Sequence, residues 1–142
     1  MAPAIKSLFT LVLASLAGTA LSSPHIVRDD GPDFMHGTQY GQGTFFNTGL
    51  GACGLINENS EHIAAVSNLL FDNYPGYDGG DSDGNPVCGR QVIAYYEGKS
   101  TVVTITDSCA DCALTDLDFT PTAFSDLADQ DIGRIDISWE WL

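Results

Sequence analysis

The chain has 142 residues and a mass of 15.1 kDa, with five Lys and Arg against nineteen Asp and Glu, a formal charge of -14. That length holds one domain, and the charge excludes a nucleic-acid or anionic-membrane surface, because counterion release needs clustered cations. Neutral polymers, cationic partners and uncharged small ligands remain, and 44% hydrophobic residues suffice for a packed core.

Lys6, the apolar run from Leu8 to Ala17 and the small residues after it read as a secretory signal peptide over residues 1–22, with Ala20-Leu21-Ser22 as the cleavage site. Gly18, Thr19 and Ser22 end the run too early for a membrane span, so a secreted, extracellular protein with no membrane partner is expected. Residues 23–38, broken by Pro24 and Pro32, read as a flexible leader, and residues 39–142 as the folded domain.

In an oxidising compartment Cys53, Cys88, Cys109 and Cys112 are expected to form two disulfides. Three pairings are possible on paper. A local Cys109–Cys112 bridge is favoured, with Cys53–Cys88 closing a long loop. A zinc site would want a second CxxC or paired histidines, and His25, His36 and His62 are scattered. A redox CxxC would open a helix, whereas this one follows a β-rich run.

From residue 39 the pattern becomes short strand-like runs separated by Gly and Asn. Gly43-Thr44-Phe45-Phe46 and residues 62–67 are predicted strands. Residues 74–86 form a Gly- and Asp-rich loop. Residues 90–96 and 100–106 flank Glu97-Gly98-Lys99 as a predicted β-hairpin. Thr120 caps a predicted helix with Pro121 at its first position and Ala123, Phe124, Leu127 and Ala128 on one face. A last strand alternates Ile135, Ile137, Trp139 and Trp141 with Arg134, Asp136, Ser138 and Glu140, so both tryptophans are assigned to the core. Together these imply a small β-barrel carrying one short helix.

No nucleophile elbow, phosphate loop or paired metal-binding histidine occurs, and neither a metal nor a cofactor is expected. Asp78-Gly79-Gly80-Asp81-Ser82-Asp83-Gly84 lacks the alternating ligands and closing Glu of a calcium loop, and reads as a solvated turn. Asp107 and Asp118 stand out. Asp107 ends a β-branched run where a barrel strand meets its mouth, and alternation puts Asp118 opposite Leu117 and Phe119. From the residues alone, both are equally readable as acceptors of backbone N–H bonds, Asp107 from the CxxC turn and Asp118 from the helix start.

Five blocks, Gly43-Thr44-Phe45-Phe46 with Gly49-Leu50-Gly51-Ala52-Cys53-Gly54, Asn85-Pro86-Val87-Cys88-Gly89-Arg90, Val103-Thr104-Ile105-Thr106-Asp107-Ser108-Cys109, Asp116-Leu117-Asp118-Phe119-Thr120-Pro121-Thr122-Ala123-Phe124 and Gly133-Arg134-Ile135-Asp136-Ile137-Ser138-Trp139, occur in the order found in double-psi β-barrel domains. Over roughly residues 39–142 the chain resembles expansin-like, barwin-like and rare-lipoprotein-A-like proteins, and among them the loosenins, single-domain expansin-like proteins secreted by fungi. The resemblance implies a mainly β, six-stranded double-psi barrel and supports the Cys53–Cys88 bridge. It also implies an open groove that holds an extended polysaccharide. By position Thr44 matches the family's first-strand threonine, Asp107 its groove aspartate, and Asp118 the general acid of related endoglucanases. Phe46 and Cys109 stand where relatives often carry aromatic hydroxyls. The second, carbohydrate-binding expansin domain is not expected beyond Leu142.

Inverting glycoside hydrolysis needs a base facing the acid across the scissile bond. The endoglucanase base falls at Asn47 or Thr48, and neither takes a proton near neutral pH. The expected function is therefore binding and loosening of cell-wall polysaccharide, cellulose or chitin, without hydrolysis. Thr44, Asp107 and Asp118 would line the groove, with Tyr74 and Tyr77 as sugar-stacking platforms. Two alternatives stand: a protease inhibitor or barwin-like interaction protein using loop 74–86, and a weak glucanase or lytic transglycosylase using Asp118 as its acid. A monomer is expected.

Overall fold

A computed structural model describes residues 31–142; the expected signal peptide and the leader up to residue 30 lie outside the described residues. Eight elements carry the fold: β1 (Gln39–Phe45), β2 (Ile63–Ser67), α1 (Asn68–Asp72), β3 (Gln91–Tyr96), β4 (Lys99–Cys109), β5 (Leu117–Phe119), α2 (Pro121–Leu127) and β6 (Ile135–Trp141). The strands close into a barrel in the order β1-β5-β2-β4-β3-β6. The pairs β1–β5 and β2–β4 are parallel and the rest antiparallel. This is the expected six-stranded double-psi barrel, and the disulfides pair as expected, Cys53–Cys88 and Cys109–Cys112.

Local chemistry accounts for most boundaries. Glu97 and Gly98 take φ of 45° and 79°, the positive values that a two-residue type I′ hairpin needs, and Tyr96 pairs with Lys99. Thr120 caps α2 by accepting from the Ala123 N–H at 3.4 Å, and Pro121 opens the helix. The buried face of α2 carries Phe124, whose ring meets Phe45 at 5.0 Å. Val66, Val103, Ile105, Leu117, Phe119 and Trp139 fill the barrel with no exposed surface. Each sits at an alternate position of its strand, which is why the apolar periodicity predicted strands here.

Four features differ from the sequence expectation. β1 begins at Gln39 rather than Gly43 because its glycines face inward: a Cβ on Gly41 would lie 2.2 Å from the Thr115 carbonyl oxygen, and one on Gly43 2.9 Å from the Phe119 ring. α1 was not predicted; it is a turn and a half long and follows β2 directly, with the Ser67 hydroxyl accepting from the Leu69 N–H. β4 runs to Cys109, past Asp107, through a register shift opposite Ala64 and Ala65. Residues Asp33–Met35 form a 3-10 turn whose Phe34 is buried and whose carbonyl accepts from the Trp141 indole at 2.8 Å. Packing thus begins inside the stretch expected as leader.

Candidate functional site

The register shift between β2 and β4 pairs Ala64 with Ile105 but Ala65 with Asp107, so Thr106 is the extra residue of a bulge. Thr106 is buried, and its hydroxyl has no hydrogen-bond partner among the described residues. Asp107 is thereby brought to the outer face. Ala65 also pairs with Asp118 on β5, and Asp118 pairs with Thr44 on β1. Thr44, Asp118, Ala65 and Asp107 thus form one row across four strands. Cross-strand partners project to the same face, and the two aspartates stand two strand spacings apart, about 10 Å between Cα atoms.

The two carboxylates are held differently. Asp107 Oδ1 accepts from the Ala52 N–H at 2.7 Å and the Ser108 N–H at 2.8 Å, which ties the loop after β1 to the row. Asp118 Oδ1 accepts from the Thr44 hydroxyl at 2.7 Å, and neither aspartate takes the N–H bonds that the CxxC turn or the helix start offered. Burial raises the Asp118 pKa; the Thr44 hydrogen bond and the Arg134 charge pull it down, and Asp107 adds to the rise. A carboxyl so placed keeps its proton to higher pH than a free aspartate, and can donate a hydrogen bond to a ligand oxygen.

Thr44, Phe45, Asp118 and Arg134 line an open groove of about 330 Å³, walled on one side by the Cys109–Cys112 bridge. Two further acids reach it. Asp116 spends both oxygens on backbone, accepting from the Gln42 and Ala113 N–H groups at 2.8 and 2.9 Å. Asp111, exposed at the rim inside the disulfide-closed turn, was missed by sequence reading; its position between two bridged cysteines just after the groove strand was the available signal. Asn47 and Thr48, where an endoglucanase base is expected, are engaged with their own loop: Asn47 Oδ1 accepts from Asn59, and the Thr48 hydroxyl donates to the Asn57 carbonyl.

The tyrosine platforms need correction. Tyr74 is buried, packed edge-on against Trp141 at 5.9 Å, and its hydroxyl accepts from Arg90. Arg90 in turn lies 4.4 Å over the Trp141 ring. No face of Tyr74 is left for a sugar. Tyr77 is half-buried against Phe71, and its hydroxyl donates to the Gly80 carbonyl at 2.9 Å. Neither ring lines the groove. Loop residues look exposed from composition alone, and the cover is supplied by Arg90, just before β3, and by Trp141 at the end of β6.

The closed six-stranded barrel and its two bridges have double-psi architecture, similar to that of barwin-like and expansin proteins. Comparison with known proteins narrows this. The chain is 33% identical over 117 residues to an Asp f 7 allergen homolog of Arthroderma benhamiae, covering 72% of this chain and 38% of that protein. The Streptomyces papain inhibitor superposes with a TM-score of 0.67 at 27% identity, over 76% of this chain and 96% of that one. The expansin of Clavibacter michiganensis gives a TM-score of 0.58 at 25% identity, over 74% of this chain and 50% of that one, and a variant of it has been solved in complex with cellohexaose. The chain thus spans little more than a third of the length of the Arthroderma relative. No protein-family model matches it.

Proposed function

We propose that the protein acts outside the cell, binding an uncharged cell-wall polysaccharide, cellulose or chitin, along the Thr44–Asp118–Asp107 row and loosening it without hydrolysis. The row itself is the observation that supports this most: three groups able to bond sugar hydroxyls stand on one face, Asp107 set there by the bulge and held by backbone amides, Asp118 held by the Thr44 hydroxyl. Each bond exchanged between glycan and groove is worth about 1 kcal/mol net, so contacts between neighbouring glycan chains are traded locally and reversibly. Hydrolysis would need a base opposite Asp118. Asp107 has one oxygen tied to two amides, and Asn47 and Thr48 carry no titratable group. Cellohexaose bound to the expansin neighbour supports the ligand class. The test is depletion of the protein onto insoluble cellulose and chitin with reducing ends measured in the supernatant. Wild type is expected to bind and release none, and Asp118→Asn to bind more weakly. Sugar release that vanishes in Asp118→Asn or Asp111→Asn would establish an enzyme instead.

A second reading has its own support. Leu50, Leu55 and Ile56 are exposed on the loop between β1 and β2, pinned by a Leu50–Ile56 bridge and by the Cys53–Cys88 disulfide. A rigid apolar knuckle of this kind suits a protein cleft, and the papain inhibitor of Streptomyces mobaraensis is 28% identical over 106 residues. In this reading the loop adds a contact surface to the exposed residues 78–84 of the 74–86 loop. Loss of papain inhibition in Leu50→Ser with Ile56→Ser, with polysaccharide binding intact, would favour it.

A further inference from the structure

A second concavity of about 660 Å³ lies where β1 meets β6 and β3, lined by Tyr40, Tyr95, Tyr96, Glu97, Asp136 and Ser138. Its floor is one row of the sheet. Tyr40 on β1 and Tyr95 on β3 both pair with Ser138 on β6, so the two phenol rings flank a serine hydroxyl with about 10 Å between their Cα atoms. Tyr40 is 75% exposed and Tyr95 40%, and neither hydroxyl has a hydrogen-bond partner among the described residues. Exposed rings with a hydroxyl between them and carboxylates beside them offer flat apolar faces and hydrogen-bond acceptors together.

We propose that this shelf is an additional glycan subsite, continuous with the groove, in which the rings of an uncharged polysaccharide stack on Tyr40 and Tyr95 while Asp136 and Ser138 bond their hydroxyls. Two observations select that occupant. The first is charge: the lining holds Glu97 and Asp136 and no cation, so acidic polymers are repelled and a neutral chain is not. The second is continuity. Tyr40, Gln42 and Thr44 share the outer face of β1, with four residues, about 14 Å, from shelf to groove. Between them Arg134 donates to Gln42 Oε1 at 2.8 Å, and Gln42 Nε2 donates to Asp136 Oδ1 at 3.3 Å. Arg134 lines the groove and Asp136 the shelf, so one hydrogen-bonded track joins them. A disaccharide covers either end; a hexasaccharide covers both.

The inference rests on the glycan-binding reading of the groove, and the experiment separates the two. Binding of cellobiose, cellohexaose and chitohexaose is measured by calorimetry for wild type, Tyr40→Ala, Tyr95→Ala, the conservative Tyr40→Phe, and Asp118→Asn. Each alanine variant is expected to weaken hexasaccharide binding about five- to ten-fold, with cellobiose binding unchanged and Tyr40→Phe close to wild type, because the ring face and not the hydroxyl carries the contact. Both tyrosines are exposed, so their substitution leaves the barrel folded, which circular dichroism checks. Alanine variants that bind hexasaccharide like wild type, while Asp118→Asn does not, would overturn the shelf and leave the groove standing. A wild type that binds none of the three glycans would overturn both. Loss of papain inhibition in the alanine variants, with glycan binding unchanged, would reassign the shelf to a protein partner.

Discussion

The groove and the shelf lie on the same outer face of β1, yet they are built in opposite ways. Groove groups are already bonded to protein, Thr44 to Asp118 and Asp116 to Gln42 and Ala113, and Asp107, in the same row beside the groove, is bonded to the Ala52 and Ser108 amides. The shelf tyrosines are instead exposed, Tyr40 three-quarters so, and their hydroxyls have no hydrogen-bond partner among the described residues. Pre-bonded groups fix orientation before a ligand arrives and make the site depend on the fold. Free rings supply area and cost the fold nothing when removed. Substitutions at the groove should therefore change stability and binding together, and substitutions at the shelf binding alone.

The largest expected effect breaks the groove through its scaffold. Replacing Cys53 and Cys88 by serine opens a loop of 35 residues and should cost about 3–4 kcal/mol in urea unfolding, loosening the segment whose Ala52 amide holds Asp107. Gly43→Ala comes next. Its Cβ would sit 2.9 Å from the Phe119 ring and 3.2 and 3.3 Å from Ile137 and Ile135, an overpacking expected to cost about 1–3 kcal/mol directly beneath Thr44. Tyr40→Ala, three residues from Gly43 along the chain, should shift the urea midpoint by less than about 0.5 kcal/mol equivalent; an equal loss at both would dissolve the contrast.

The smallest effect is a pH dependence. Burial, offset by Thr44 and Arg134 and reinforced by Asp107, raises Asp118, so the folded state holds that proton more tightly than the unfolded chain. The contribution to stability is full below the ordinary carboxylate pKa and is lost as pH rises through the folded-state value. Asp118→Asn should therefore gain Tm relative to wild type as pH rises from the ordinary carboxylate range towards neutrality. Thr44→Val removes the bond that lowers Asp118 and should raise its pKa further, read by carbon-detected NMR titration.

What the sequence disclosed followed locality. The hairpin at Glu97-Gly98, the Thr120-Pro121 helix start and the alternation of β6 are set by residues close in the chain, and all three form. Tyr40 escaped notice because Gly41 and Gly43 disguised the first half of β1, and their purpose, room for the Thr115 backbone and the Phe119 ring, is supplied from more than seventy residues away. Thr106 gives no local sign that it will be an inserted residue; the bulge shows only in the register of β4 against β2, about forty residues away in the chain. Tyr74 misled for the same reason, since Arg90 and Trp141 cover it only once the barrel closes. Asp107 and Asp118 stand out by their positions in the chain and Thr44 through family resemblance, while their placement in one row follows from strand register that spacing alone does not encode.

The most direct test of the account follows backbone amide resonances in NMR while cellohexaose is titrated into the protein. Saturable shifts at Thr44, Ala65 and Asp118, extending along β1 to Tyr40, with the oligosaccharide recovered uncut, are the predicted result. Shifts confined to the loop carrying Leu50 and Ile56, or shortened oligosaccharide in the sample, would contradict it.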